Sequence, residues 1–142
     1  LALMPMCFTS CGDDDESNGI SASMEGVWYL KSEKWYDWKN GQADTSVAPD
    51  EEIYEDYSSH VWQISKTGNN YSINELRDGY LRDIWSQVGN NEFRNDEGTG
   101  RDRVVIKSVS EKTMTIELYD GYYGEGGETG KTSEYGVLTF MK

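Results

Sequence analysis

From Met24 onward, hydrophobic and polar positions alternate along most of the chain. A period of two marks a strand with one face buried and one wet. Residues 24–38 set the pattern: Trp28, Leu30 and Ser32 fall on one side of an extended chain, and Val27, Tyr29 and Lys31 on the other. Residues 59–66 place Trp62 and Ile64 on one face, and residues 71–76 point Tyr71 and Ile73 inward. Val104 and Ile106 share a face within 103–108, while Met114, Ile116 and Leu118 alternate with Thr115 and Glu117 within 113–119. Residues 133–142 bring Tyr135, Val137, Leu138 and Phe140. A short strand is expected at 92–95. Residues 80–88 fit two periods, because Leu81, Ile84, Trp85 and Val88 also match a helical stripe. Gly79 and Gly89 bracket this short run, which favours a strand.

Turn chemistry separates these runs: Asn40-Gly41, Thr67-Gly68-Asn69-Asn70, Arg77-Asp78-Gly79 and Gly89-Asn90-Asn91. Residues 40–56 are acidic and turn-rich, with Pro49 as a breaker and room for a short helix over 50–57 capped by Asp50. Roughly eight strands at even spacing are the signature of an up-and-down barrel or a sandwich. The fold predicted is all-β, a small up-and-down antiparallel barrel of about eight strands over residues 24–142.

The first 23 residues follow a different logic. Residues 1–10 carry no charge, and Phe8-Thr9-Ser10-Cys11 is followed by Gly12 and the acidic run Asp13-Asp14-Asp15-Glu16. This resembles the end of a bacterial lipoprotein signal peptide, with cleavage before a cysteine that then takes lipid. About ten apolar residues suit such a signal and are too few to span a bilayer. Residues 1–10 are therefore expected to be a signal remnant, Cys11 the lipidated residue, and residues 12–23 a polar, self-repelling tether. The resemblance implies an outer-membrane lipoprotein of a Gram-negative bacterium, displayed at the cell surface and touching the membrane only through its lipid.

Composition narrows the partners. The 142 residues include 26 acids against 13 lysines and arginines, a net charge of −13. That balance excludes nucleic acid and anionic lipid surfaces as partners, since each requires a basic patch. Hydrophobic content is only 36%, but aromatics reach 13%, so burial must lean on Trp and Tyr. Both cysteines, Cys7 and Cys11, lie in the first eleven residues, so loss of Cys7 on cleavage would leave no disulfide in the domain.

No catalytic or metal motif stands up, and a glycosidase-like pair among the 26 acids is left only as a remote alternative because most of them fall in turns. Gly130-Lys131-Thr132 mimics the end of a phosphate-binding loop, but position 125 is Glu and the strand-to-helix context is missing. Asp14, Glu16, Asn18, Gly19 and Glu25 have calcium-loop spacing, yet Ser21 stands where an apolar residue belongs and no helices flank the run. His60 is the only histidine, which makes zinc improbable, and Ser58 and Ser59 are its sequence neighbours rather than triad partners. The expectation is a non-enzyme with no cofactor and no metal.

Gly26-Val27-Trp28 resembles the Gly-X-Trp signature of lipocalins. The run from Val104 to Ile116 resembles the paired strands of bacterial lipocalin-like lipoproteins, and Leu138-Thr139-Phe140-Met141-Lys142 resembles their last strand. The resemblance covers residues 24–142. It implies that Gly26 and Trp28 plug one barrel end, where a basic residue of the last strand packs over the tryptophan; Lys142 is the only candidate. It also implies a monomeric binding protein for a small hydrophobic or amphipathic ligand. The pocket would be walled by Leu30, Trp62, Ile64, Tyr71, Ile73, Met114, Ile116 and Leu118, with Trp35 and Tyr122 at its mouth. Trp35, Tyr36, Trp38, Tyr54, Tyr57, Tyr80, Trp85, Tyr122 and Tyr123 lie near strand ends or in loops, either filling the core or forming an aromatic rim. The alternative function is a cell-surface interaction module with a filled barrel and no small ligand.

Overall fold

A computed structural model describes residues 23–95, 102–123 and 132–142. The expectations for Cys11, the signal remnant, the tether, and the Gly130-Lys131 and calcium-loop mimics fall wholly or mostly outside these residues. Every regular element among the described residues is a strand: β1 (Gly26–Lys39), β2 (Gln42–Ala43), β3 (Asp50–Ile53), β4 (His60–Thr67), β5 (Asn70–Arg77), β6 (Tyr80–Gln87), β7 (Glu92–Asn95), β8 (Arg103–Val109), β9 (Thr113–Asp120) and β10 (Glu134–Met141).

Eight of them, β1 and β4 to β10, form a closed antiparallel barrel. Each strand pairs with the next in sequence, and β10 returns to pair with β1 from Tyr29↔Met141 to Asp37↔Glu134. Closure removes the free sheet edges on which an open sheet would aggregate. The run 80–88 is strand β6, paired with β5 and β7. The short helix considered over 50–57 is not formed; Asp50–Ile53 is instead β3, paired with Ser32–Trp35 of β1. Pairing along β1 gives this run ladder hydrogen bonds on one side, which an isolated helical turn of this length would lack.

The barrel interior is filled by the inward side of the alternation. Trp28, Leu30, Trp62, Ile73, Trp85, Phe93, Val104, Ile106, Met114, Ile116, Leu138 and Phe140 are all at most 2% exposed. Burying a side chain of this size contributes about 1.5–3 kcal/mol. The rings of Trp62 and Phe140 lie 4.7 Å apart and those of Trp62 and Trp85 5.9 Å apart, within the range of favourable aromatic contact.

Antiparallel order places the start of β1 and the end of β10 at the same end, and Trp28 is sealed there. Its indole N–H donates to the Met24 carbonyl at 2.8 Å, and the Lys142 ammonium sits 5.0 Å from its ring centre. Gly26 makes room for that lysine: at φ +131° it adopts a backbone that side chains disfavour, and a Cβ there would lie 2.6 Å from the Lys142 Cε.

Candidate functional site

The opposite end carries the polar chemistry, and a bulge in β1 puts it there. The register of β1 against β10 slips between Leu30 and Ser32, so one residue is added and the alternation reverses. Trp28 and Leu30 face inward as expected. Ser32, placed on their side by simple alternation, instead pairs with Thr139, while Glu33 pairs with Leu138 and Trp35 with Gly136 on the inward row of β10.

Glu33 is pinned by two donors. Trp35 Nε1 donates to one carboxylate oxygen at 2.7 Å, and the Tyr54 hydroxyl to the other at 2.6 Å. The bond to Glu33, helped by burial, pushes the Tyr54 phenol up to about 12. Tyr54 follows β3, and its N–H bonds the Lys31 carbonyl at the bulge, so the extra residue of β1 fixes both partners.

Across the mouth, Glu75 of β5 makes the matching arrangement. His60 Nε2 lies 2.7 Å from one oxygen and Trp85 Nε1 donates to the other at 2.9 Å. Burial pushes the Glu75 carboxyl up, but these two bonds and the nearby Arg77 outweigh it and hold the group below its usual range. The Ser58 hydroxyl bonds the main chain of His60, at 3.1 and 3.2 Å, not its ring.

A cleft of about 370 Å³ lies between these two clusters, lined by Glu33, Tyr54, Ser58, Ser59, His60 and Arg77. Its origin is topological. Strand β4 pairs with β1 only over Gly26–Tyr29, after which β3 takes over that edge of β1 and β4 diverges. The wedge between them is the cleft.

The residues expected to wall a pocket stand mostly elsewhere. Leu30, Trp62, Ile64, Ile73, Met114 and Ile116 are core, and Trp35, Tyr71 and Leu118 pack partly buried against it. Tyr122 lies outside the barrel, 6.2 Å from Tyr119 and 5.0 Å from Tyr123. None of these lines the cleft, although Trp35 reaches it through Glu33. From sequence, His60 is a candidate only as a metal ligand or catalytic base, and Tyr54 belongs either to the core filling or to an aromatic rim. Glu33 and Arg77 are not candidates from sequence, and no local signal marks the bulge that turns Glu33 inward.

Two outer regions complete the surface chemistry. Tyr36, Trp38, Tyr119, Tyr122, Tyr123 and Tyr135 form a connected ring cluster, with Arg103 stacked over Tyr119 and Tyr122. Glu117 accepts from the hydroxyls of both Tyr119 and Tyr135. Elsewhere the outward positions Tyr29, Val61, Leu76 and Leu81 are in register across four strands, with Leu81 53% exposed.

Among the described residues, no group of three or more histidine, cysteine or acidic side chains is placed to hold a metal. Comparison with protein-family models, curated proteins and solved structures gives no match.

Proposed function

We propose that this chain is a lipid-anchored, lipocalin-like binding protein, without catalysis of its own, that holds a small amphipathic ligand at the open end of its barrel. The observation that carries the reading is the 370 Å³ cleft, with the pinned Glu33 carboxylate on its wall and His60, held from behind by Glu75, beside it. Its size falls within the range of small-molecule sites, about 300–1,000 Å³. Its lining is polar while the apolar set lies packed below, which supports a ligand with a polar end over a purely hydrophobic one. Attachment through Cys11 to the outer membrane belongs to the same proposal, and loss of membrane partitioning in a Cys11→Ala chain made with a complete signal would test it.

Binding is tested by thermal melting of the full chain with fatty acids, lysophospholipids and alkyl glycosides below their micelle concentrations. A ligand at a hundred times its Kd stabilises the native state by about 2.7 kcal/mol. A rise in Tm that is abolished by Arg77→Ala supports the site; no rise with any of these compounds sinks it. The alternative, a surface interaction module, draws on the outward apolar row Tyr29, Val61, Leu76 and Leu81. It would be favoured if binding partners depended on Leu81 and not on the cleft.

A further inference from the structure

We propose that the group held in the cleft is neutral and rich in hydroxyls, a saccharide, and not an anion or a cation. The inference rests on the reading of the cleft as a binding site and specifies what enters it. Charge is the first argument. An anion would approach the Glu33 carboxylate, with Glu75 directly behind His60, in a chain of net charge −13. A cation would meet Arg77, whose guanidinium makes no close ion pair among the described residues and acts on Glu75 only from a longer distance. A neutral ligand meets neither obstacle.

Hydrogen-bonding capacity is the second argument. Each Glu33 oxygen accepts one fixed bond from Trp35 or Tyr54 and keeps capacity for another. His60, bonded to Glu75 through Nε2, leaves Nδ1 toward other partners. Arg77 adds up to five donors, and the Ser59 hydroxyl can both give and accept. Interleaved donors and acceptors match a hydroxyl, which is itself both. Vicinal hydroxyls can engage a carboxylate or a guanidinium in pairs, and Tyr54 supplies an aromatic ring for the C–H side of a sugar.

Rigidity is the third argument. The polar groups are already oriented: Glu33 by two donors, and His60 by Glu75 and by its main-chain bonds with Ser58. Preorganised polar groups lose little freedom on binding, which matters most for a ligand with few apolar atoms to bury.

The test is isothermal titration of the full chain with maltotriose, cellotriose and mannotriose, beside glucosamine, glucuronic acid, octanoate and n-octyl β-glucoside below its micelle concentration. At least one neutral sugar, free or on the octyl chain, is expected to bind, and both Glu33→Gln and Arg77→Ala should weaken it at least tenfold. Arg77 is exposed, so its variant tests the site without disturbing the core; unchanged circular dichroism checks this for both. Binding of octyl glucoside alone would identify a sugar presented on an apolar chain, and binding of the trisaccharides a free glycan. Preference for glucuronic acid or glucosamine overturns the neutral class while leaving the cleft a binding site. Equal binding of octanoate and octyl glucoside overturns the saccharide and leaves the amphipathic reading standing. If no compound binds, or if neither variant matters, both readings fall together.

Discussion

Gly136→Ala tests whether the barrel mouth is built as described, because a single methyl group there strikes the cluster that holds the cleft. Gly136 of β10 lies opposite Trp35 of β1. A Cβ at this position would stand 2.8 Å from both Cε3 and Cζ3 of the indole and 2.9 Å from Cη2. Carbon atoms pack at about 3.5–4.0 Å, so the ring would have to retreat by roughly 0.7–1.2 Å. It has little room, since it packs on the core and its N–H is bonded to Glu33 at 2.7 Å. Overpacking of this kind costs about 1–3 kcal/mol, and loss of a hydrogen bond to a carboxylate adds about 1.5–3 kcal/mol if it breaks. Against this, replacing glycine restricts the unfolded chain and returns about 0.4–1 kcal/mol. The expected net loss is about 0–2.6 kcal/mol if the hydrogen bond survives and about 1.5–5.6 kcal/mol if it breaks, and a ring forced off Gly136 with its N–H tied to Glu33 points to the larger range. Urea unfolding followed by circular dichroism measures it, and tryptophan emission reports the displaced ring. Trp35→Leu in the Gly136→Ala background should recover part of the loss, as expected for contacting residues. A loss below about 0.5 kcal/mol, with an unchanged urea slope and unchanged tryptophan emission, would refute the placement of Trp35 on Gly136.

Three further outcomes are expected. Gly26→Ala should destabilise by about 1–3 kcal/mol, because alanine resists φ +131° and its Cβ displaces Lys142 from Trp28; melts that match the parent would contradict this. Trp85→Phe should cost more than Trp62→Phe by about 1–3 kcal/mol: the first leaves Glu75 short of a donor, whereas the second removes an indole N–H that is buried without a partner. Equal losses in urea would argue against that difference. The pH response is set by Asp102, whose carboxyl is pushed up to about 6, mainly by burial and despite the Gly121 N–H, with Asp120 and Asp83 reinforcing the shift. The folded chain then holds a proton that the unfolded chain has released, so stability falls as pH rises from about 4 to about 6 and levels off above. Glu75, shifted the other way, loses its contribution only as pH falls below the usual glutamate range. Melts across this range should show the decline, and Asp102→Asn should flatten it; a parent with no decline between pH 4 and 6 would refute the assignment.

The barrel was legible wherever alternation ran unbroken. Met114 and Ile116 are buried and Thr115 and Glu117 outward in β9, as read from the sequence. In β6 the helical alternative fails on Leu81 and Val88, which a helical stripe would bury beside Trp85 but which are 53% and 55% exposed. Bulges are where parity reading stops. The slip between Leu30 and Ser32 costs no particular residue type: Lys31 and Ser32 carry neither the glycine nor the proline that would announce it. The same holds between Ile106 and Ser108, after which Val109 rather than Ser108 is buried.

That blind spot fell on the candidate site for a physical reason. A bulge is the means by which a regular strand points a polar side chain into a barrel whose alternation would otherwise keep it apolar throughout. Without the extra residue, Glu33 would stand outside among solvated acids, Trp35 would leave Gly136, and Tyr54 would have no carboxylate to meet. With it, an acid enters the mouth and is stabilised by an indole and a phenol already held by the fold. Divergence of β4 from β1 supplies the space, and the bulge supplies the chemistry. The apolar residues expected to wall a pocket, mainly Leu30, Trp62, Ile73, Met114 and Ile116, are packed core and do not line the polar cleft. The two departures from regular pairing, the parting of β4 from β1 and the slip in alternation, thus meet at one place, and together they account for a polar cleft at the end of an otherwise apolar barrel.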